Sequence, residues 1–204
     1  MIRKVSKLVL VALLCGAPLA ASSVLEISFD RLSRSAKRVV SGEIVRVSSE
    51  FGDNGFIYTD VTLLVRNAAP RSLEGRPYTF RTIGGEVDGK RLYIQGMPRF
   101  EVGQEVAVFL HDSPATALGP TVGLWQGVFF VERDGQTGQK RMLDATRRPV
   151  LGLEQAAQGA KLLRGSKTPV SSETGVALSL SEQTKAMPVD SFFEQVRAYR
   201  GVEF

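Results

Sequence analysis

Residues 38–66 read RVVSGEIVRVSSEFGDNGFIYTDVTLLVR, and this stretch decides the fold class. In its second half Ile57, Thr59, Val61, Leu63 and Val65 alternate with Tyr58, Asp60, Thr62 and Arg66. Successive side chains of an extended chain point to opposite faces, so this period of two predicts a strand with one apolar side. The first half is less regular. Val40 and Ile44 share one face, Val45 and Val47 the other, and Gly42 lies between the first pair. An apolar face that changes sides near a glycine predicts a bulged or coiled strand, able to serve two sides of a barrel. Between the halves, Phe51-Gly52-Asp53-Asn54-Gly55 is a turn, with Asn54-Gly55 suited to positive φ. The whole predicts a long β-hairpin.

Working outward, residues 28–37 predict a short helix. Phe29, Leu32 and Ala36 share a face at helical spacing, and Ser28 is placed to cap it. After the hairpin, 67–77 is a loop, 78–83 a third strand closed by Gly84-Gly85, and 91–95 a short strand after the Asp88-Gly89 turn. Residues 96–100 form a connector and 102–104 a turn. Glu105 to His111 is a strand with Val106, Val108 and Leu110 on one side. Residues 122–132 predict a strand apolar on both faces, carrying Trp125, Phe129 and Phe130. Gln136-Thr137-Gly138 turns into a last strand near 140–143.

Beyond Asp144 the character changes. Residues 153–163 are alanine-rich and weakly helical, and 165–188 are rich in Ser, Thr and Gly with little apolar periodicity, which predicts a flexible segment. Residues 191–200 predict a helix. Ser191 and Glu194 fit a capping box, and Phe192, Val196 and Tyr199 form one stripe, expected to dock on the β domain or in a partner's groove.

The chain begins with a basic Arg3, Lys4 and Lys7, then an apolar run from Leu8, then Gly16, Pro18 and Ala20-Ala21-Ser22. This is the pattern of a cleavable signal peptide over residues 1–22. The run falls far short of the ~20 residues that cross a bilayer as a helix. Cys15 follows Leu13 and Leu14, whereas a lipidated cysteine follows a small residue, so it reads as part of the discarded segment. The expected product is exported, periplasmic or extracellular.

The chain holds 26 Lys plus Arg against 21 Asp plus Glu. Loss of the three basic residues of the signal leaves 23 against 21, a net charge of +2. That balance gives no argument for nucleic acid, which needs a concentrated basic patch. Cys15 is the only cysteine, so the mature domain has no disulfide, thiol nucleophile or cysteine metal site.

Specific chemistry is sparse. His111 is the only histidine, and no Gly-x-Ser-x-Gly elbow accompanies it. Asp53-Asn54-Gly55 lacks the later ligands of a calcium loop. Glu43 and Asp60 could face each other across the hairpin as an acid–base pair, although exposed cross-strand polar residues are the commoner reading. Lys140, Arg141, Arg147 and Arg148 make a modest basic cluster suited to an acidic surface or phospholipid headgroups. Met97, Pro98 and Arg99 lie on a connector, where binding residues concentrate, beside a Phe100 expected in the core. Trp125 is expected in the core or on an aromatic binding face. Met97, Pro98, Arg99 and Trp125 are the candidate binding residues. No catalytic residue, metal ligand or cofactor is assigned.

A resemblance accompanies these residues. The segment from Ala36 to Val45, followed by Tyr58-Thr59-Asp60-Val61-Thr62-Leu63, resembles the opening of netrin-like, tissue-inhibitor-of-metalloproteinase-like OB barrels, and residues 100–110 resemble a later segment of those domains. The chain is also similar to uncharacterised exported bacterial proteins carrying Thr-x-Gly-Gly, here Thr82-Ile83-Gly84-Gly85, and Gly-x-Pro-x-Phe-x-x-Gly, here residues 96–103. The resemblance spans roughly residues 28–132 and implies a small closed barrel. Inhibitors of that family chelate zinc through an N-terminal cysteine. Ser22 or Ser23 stands there in this chain, so that mechanism is not implied.

The expected architecture is mainly β: a small OB-like closed barrel over 23–145, with a β-sandwich as the alternative. A partly helical, flexible segment covers 146–188 and an amphipathic helix 189–204. The expected function is a non-enzymatic exported binding or accessory module whose partner is a protein of the envelope or secreted milieu. A structural envelope component is the alternative, with a protease-inhibitor-like module or a hydrolase behind it.

Overall fold

The computed structural model describes residues 26–112, 119–134, 137–157, 159–165 and 185–200. The predicted signal segment, Gln136 of the predicted turn and residues 166–184 of the predicted flexible stretch lie outside the described residues. A short helix α1 (Phe29–Ser35) leads into the long hairpin β1 (Arg38–Phe51) and β2 (Ile57–Ala69). Strands β3 (Pro77–Ile83), β4 (Gly85–Val87), β5 (Lys90–Leu92), β6 (Glu105–Leu110), β7 (Val128–Arg133), β8 (Lys140–Asp144), β9 (Val150–Ala156) and β10 (Gly159–Arg164) follow, then helix α2 (Val189–Arg200). The protein is therefore mainly β. Its main sheet is antiparallel, in the order β3-β2-β1-β6-β7-β8, and β4-β5 and β9-β10 form separate hairpins. Among the described residues no ladder joins β3 back to the far side of this sheet, so hydrogen bonds do not close it into a barrel.

Alternation divides the apolar side chains between two cores. Val39, Ala107, Phe109, Phe129 and Met142 face one side of the sheet. There they meet α1, α2 and the β9-β10 hairpin through Phe29, Leu32, Phe192, Phe193, Val196, Val150 and Leu162. Their neighbours Val40, Val106, Val108, Phe130 and Leu143 face the other side, with Ile44, Val61, Leu63 and Phe80. That second core is built almost wholly from strands, with Phe100 of the connector added, so the sheet must curve around its own inner face.

Two irregularities in the first hairpin set this curvature. The register shifts between Ser41 and Gly42 and again between Ile44 and Arg46. At the first, Arg66 is the extra residue. Gly42 lies so close to the Leu64 carbonyl that no side chain fits there. At the second, Val45 is the extra residue and is 47% exposed. A one-residue bulge reverses which parity points inward. Val47 and Ser49 therefore oppose Val61 and Thr59 on the inner side with Ile44. The expected grouping of Val45 with Val47 is corrected by this bulge. In the turn, Gly55 alone takes positive φ; Asn54 does not.

Further corrections have local causes. Residues 122–132 are not one strand. Thr121 and Val122 pair with the end of β6, a 3-10 turn (Leu124–Gly127) follows left-handed Gly123, and pairing resumes at Val128. Trp125 lies in that turn. Residues 153–163 are not helical. They form β9 and β10, because Ala160 and Leu162 alternate into the first core while Lys161 and Leu163 face out. Tertiary docking overrides alanine's helical preference here. Residues 185–188 are ordered against β8 and β9: the Met187 N–H donates to Val150 O at 2.6 Å and its carbonyl accepts from Met142 at 3.0 Å. Helix α2 begins at Val189, so Ser191 sits inside its first turn and makes no capping box. Ser28 precedes α1 but makes no side-chain cap bond. As expected, the α2 stripe docks on the sheet: Phe192 packs on Phe29, Phe109 and Phe129 with ring centroids 5.0–6.1 Å apart.

Candidate functional site

β1 pairs with β6 only from Arg38 to Glu43, but with β2 as far as Phe51. The outer half of the hairpin therefore runs past β6 and is backed by β3 alone. The bulge at Val45 turns Val47 and Ser49 inward there, opposite Val61 and Thr59. β3 adds Thr82 and Ile83. Gly84 (φ 105°) and Gly85 (φ 137°) then fold the chain back into β4. Asp88 (φ 50°) and Gly89 (φ 73°) form the two-residue turn to β5, in the mirror-image geometry that matches strand twist. The connector 93–101 crosses the remaining side. Together these segments enclose an open groove of about 300 Å³.

The groove has a hydrogen-bonded floor. The Thr59 hydroxyl donates to the Gly84 carbonyl at 2.6 Å. Its only proton is then committed, so at 2.8 Å the Ser49 hydroxyl donates to Thr59. Gly85 rests directly on these two hydroxyls, where a Cβ would collide with both. Thr82 is 5% exposed, and its Oγ1 has no hydrogen-bond partner. Val47, Ile83, Leu92 and Met97 give the walls their apolar surface. At the rim the Arg99 guanidinium lies 4.2 Å over the exposed Tyr93 ring. The rim carboxylates are engaged elsewhere: Glu86 pairs with Arg91 at 2.7 Å, and Glu101 accepts from Gln104 Nε2 at 3.2 Å.

Three of the four candidate binding residues, Met97, Pro98 and Arg99, line this groove. Phe100 is core, edge-on to Phe80 at 5.3 Å. Trp125 lies behind the connector, near Gly96, and borders a second cleft of about 480 Å³ with Glu26, Arg148, Lys161 and Arg164. Sequence reasoning missed Tyr93, Thr82 and the Ser49–Thr59 pair. A signal for the groove was nonetheless present: residues 82–85 and, from the 96–103 segment, residues 97–101 meet on its walls.

Other candidates come apart. Glu43 pairs with Leu64 in register, and Asp60 with Ser48, so the two carboxylates do not face each other. Glu43 instead meets Arg66 at 3.4 Å, and Asp60 meets Arg81, which also holds Glu50. The Arg81 hydrogen bonds keep the Asp60 carboxyl below its ordinary value, against the opposing effect of burial, and those from Asp60 and Glu50 raise Arg81. Three of the four residues of the basic cluster are paired with carboxylates. Lys140 pairs with Glu105, Arg147 with Glu132, and Arg148 with Asp144, while Arg141 donates to Ala186 O. Asp53-Asn54-Gly55 is a turn. His111 is a half-buried strand-end residue whose backbone N–H donates to Pro120 O.

Among the described residues no three of His, Cys, Asp or Glu gather as a metal site, and no helix is long and apolar enough to cross a membrane. No family model, curated protein or solved structure matches the chain.

Proposed function

We propose that this protein is an exported binding module, without catalytic chemistry of its own, and that the groove between β3–β5 and the 93–101 connector is its contact surface. One observation carries the reading: two separate segments, 82–85 and 97–101, converge on one open concavity floored by hydroxyls. Concave, partly apolar surfaces with a few placed polar groups are the usual form of a recognition site. The groups gathered there are hydroxyls, glycine backbone, aliphatic and aromatic side chains, one arginine and two rim carboxylates, Glu86 and Glu101. Those carboxylates are engaged by Arg91 and Gln104 and not by each other, so the set supports recognition better than proton transfer. Its place on loops and hairpin ends, beside a rigid two-sided sheet, fits binding by a preformed surface.

An OB-like barrel is the finer fold reading. It is supported by the strand order β3-β2-β1-β6-β7 and by an inner core that these strands supply to one another. The partner is a protein of the envelope or extracellular milieu, and residues 1–22 are the export signal.

Photocrosslinking tests the reading. Benzoylphenylalanine at position 97 of the full-length protein, expressed in a bacterium that exports it, should give a discrete light-dependent adduct. The same probe at Leu151, exposed on β9, should not. Equal labelling from both positions, or none from position 97, would refute it. N-terminal sequencing of the recovered protein should begin near Ala21 or Ser22.

A further inference from the structure

We infer that the groove takes a carboxylate of an extended peptide at Arg99, with an apolar residue of the same peptide seated against Met97. The inference rests on the groove being the binding surface and names what binds there.

Arg99 differs from Arg91 of β5, which holds the rim carboxylate of Glu86. Arg99 lies over Tyr93 and makes no ion pair among the described residues, although Glu101 is two residues away and Glu86 shares the groove. Stacking on a ring restrains the guanidinium plane while leaving its N–H edge open, which pre-organises the fork that a carboxylate accepts. The site thus has an exposed guanidinium held at its rim, and the two carboxylates that share the groove, Glu86 and Glu101, accept from Arg91 and Gln104.

The interior matches the rest of such a ligand. The Met97 terminal methyl and the Thr82 hydroxyl both reach within about 3 Å of one point beside Gly119, so the flexible thioether sits next to an unmet polar atom. An entering side chain that displaces Met97 gains apolar contact, and the peptide backbone beside it can meet the Thr82 hydroxyl. A volume of about 300 Å³ suits a few residues of extended chain and not a folded domain. The carboxylate has two sources, an Asp or Glu side chain or a free chain terminus.

Short random peptides displayed in two formats, with a free C-terminus or with both ends blocked, provide the test. Selection on the intact mature protein should enrich peptides carrying an acid at fixed spacing from an apolar residue. Enrichment in the blocked format assigns a side-chain carboxylate, and enrichment confined to the free format assigns the terminus. Arg99→Ala should weaken the selected peptide about ten- to hundredfold. Arg99→Lys should recover little of that, since an ammonium has no fork. Peptides without acid preference that are still lost on Met97→Trp would overturn the carboxylate while leaving the groove as the binding surface. Peptides indifferent to both Arg99→Ala and Met97→Trp, or no enrichment, would overturn both.

Discussion

Asp30 is almost fully buried, yet it is tied on two sides, with the Ser28 hydroxyl nearby. The Ala160 backbone N–H donates to its Oδ1 at 3.0 Å, and Arg34 pairs with Oδ2. Burial works to raise its pKa, but these partners outweigh it and leave the carboxyl below its ordinary value of 3.8. Asp60 is lowered as well, by Arg81. A carboxyl whose folded pKa is depressed stabilises the fold above the unfolded value, and that contribution is lost as pH falls through the folded value. Stability should therefore drop as pH is lowered from about 4, and Asp30→Asn should flatten this drop while costing about 1 kcal/mol near neutrality. Thermal midpoints recorded between pH 7 and pH 2 check both signs. A midpoint that rises on acidification would contradict the linkage. Gly85 makes a second prediction at this scale. Its φ of 137° and its seat on the Ser49 and Thr59 hydroxyls leave no room for a Cβ. Gly85→Ala should destabilise by about 1–3 kcal/mol and disturb the groove floor, seen as a lower urea midpoint.

Helices α1 and α2, already packed through Phe29 and Phe192, are also clasped by one charged side chain. Arg200, in the last turn of α2, donates to the carbonyls of Ser33, Ala36 and Lys37 at the C-terminal end of α1. Those carbonyls have no partner within their own helix, and a cation there also meets the negative end of its dipole. Arg200→Ala should lower stability by about 1–2 kcal/mol, or roughly 2–8 °C in the thermal midpoint. An unchanged midpoint would show that the contact contributes nothing. Elements whose own residues carry the pattern were legible in the sequence: the first hairpin by its alternation, α1 by Phe29 and Leu32, α2 by Phe192 and Val196. Elements set by distant partners were not. The strand β10 depends on Asp30 capturing Ala160, 130 residues away, and residues 185–188 are ordered by Val150 and Met142. Likewise Met97, Pro98 and Arg99 could be chosen from their connector. Tyr93 and Thr82 became visible as groove residues only once β3 and the connector were brought together, and Trp125 was misplaced because Gly123 interrupts what reads as a strand.

The whole molecule is a curved sheet with a core on each side, and α2 is the cover of one of them. Phe192 is fully buried among Phe29, Phe109, Phe129 and Phe193. Phe192→Ala should cost about 3–5 kcal/mol. Such a loss is a large share of a typical domain's 5–15 kcal/mol, so the variant should bind a hydrophobic dye or unfold near ambient temperature. A variant as stable as the parent would mean that α2 is dispensable. The clasp of Arg200 on α1 carries a consequence for how the protein comes into being. Its partners lie 163–167 residues earlier in the chain. A polypeptide emerging in order must wait for α2 before this clasp on α1 can form. Until then Phe109 and Phe129 stay uncovered, and loop closure over that span opposes early collapse. The first core is thus completed only once α2 has been made, and the unfinished chain is exposed to aggregation for that interval.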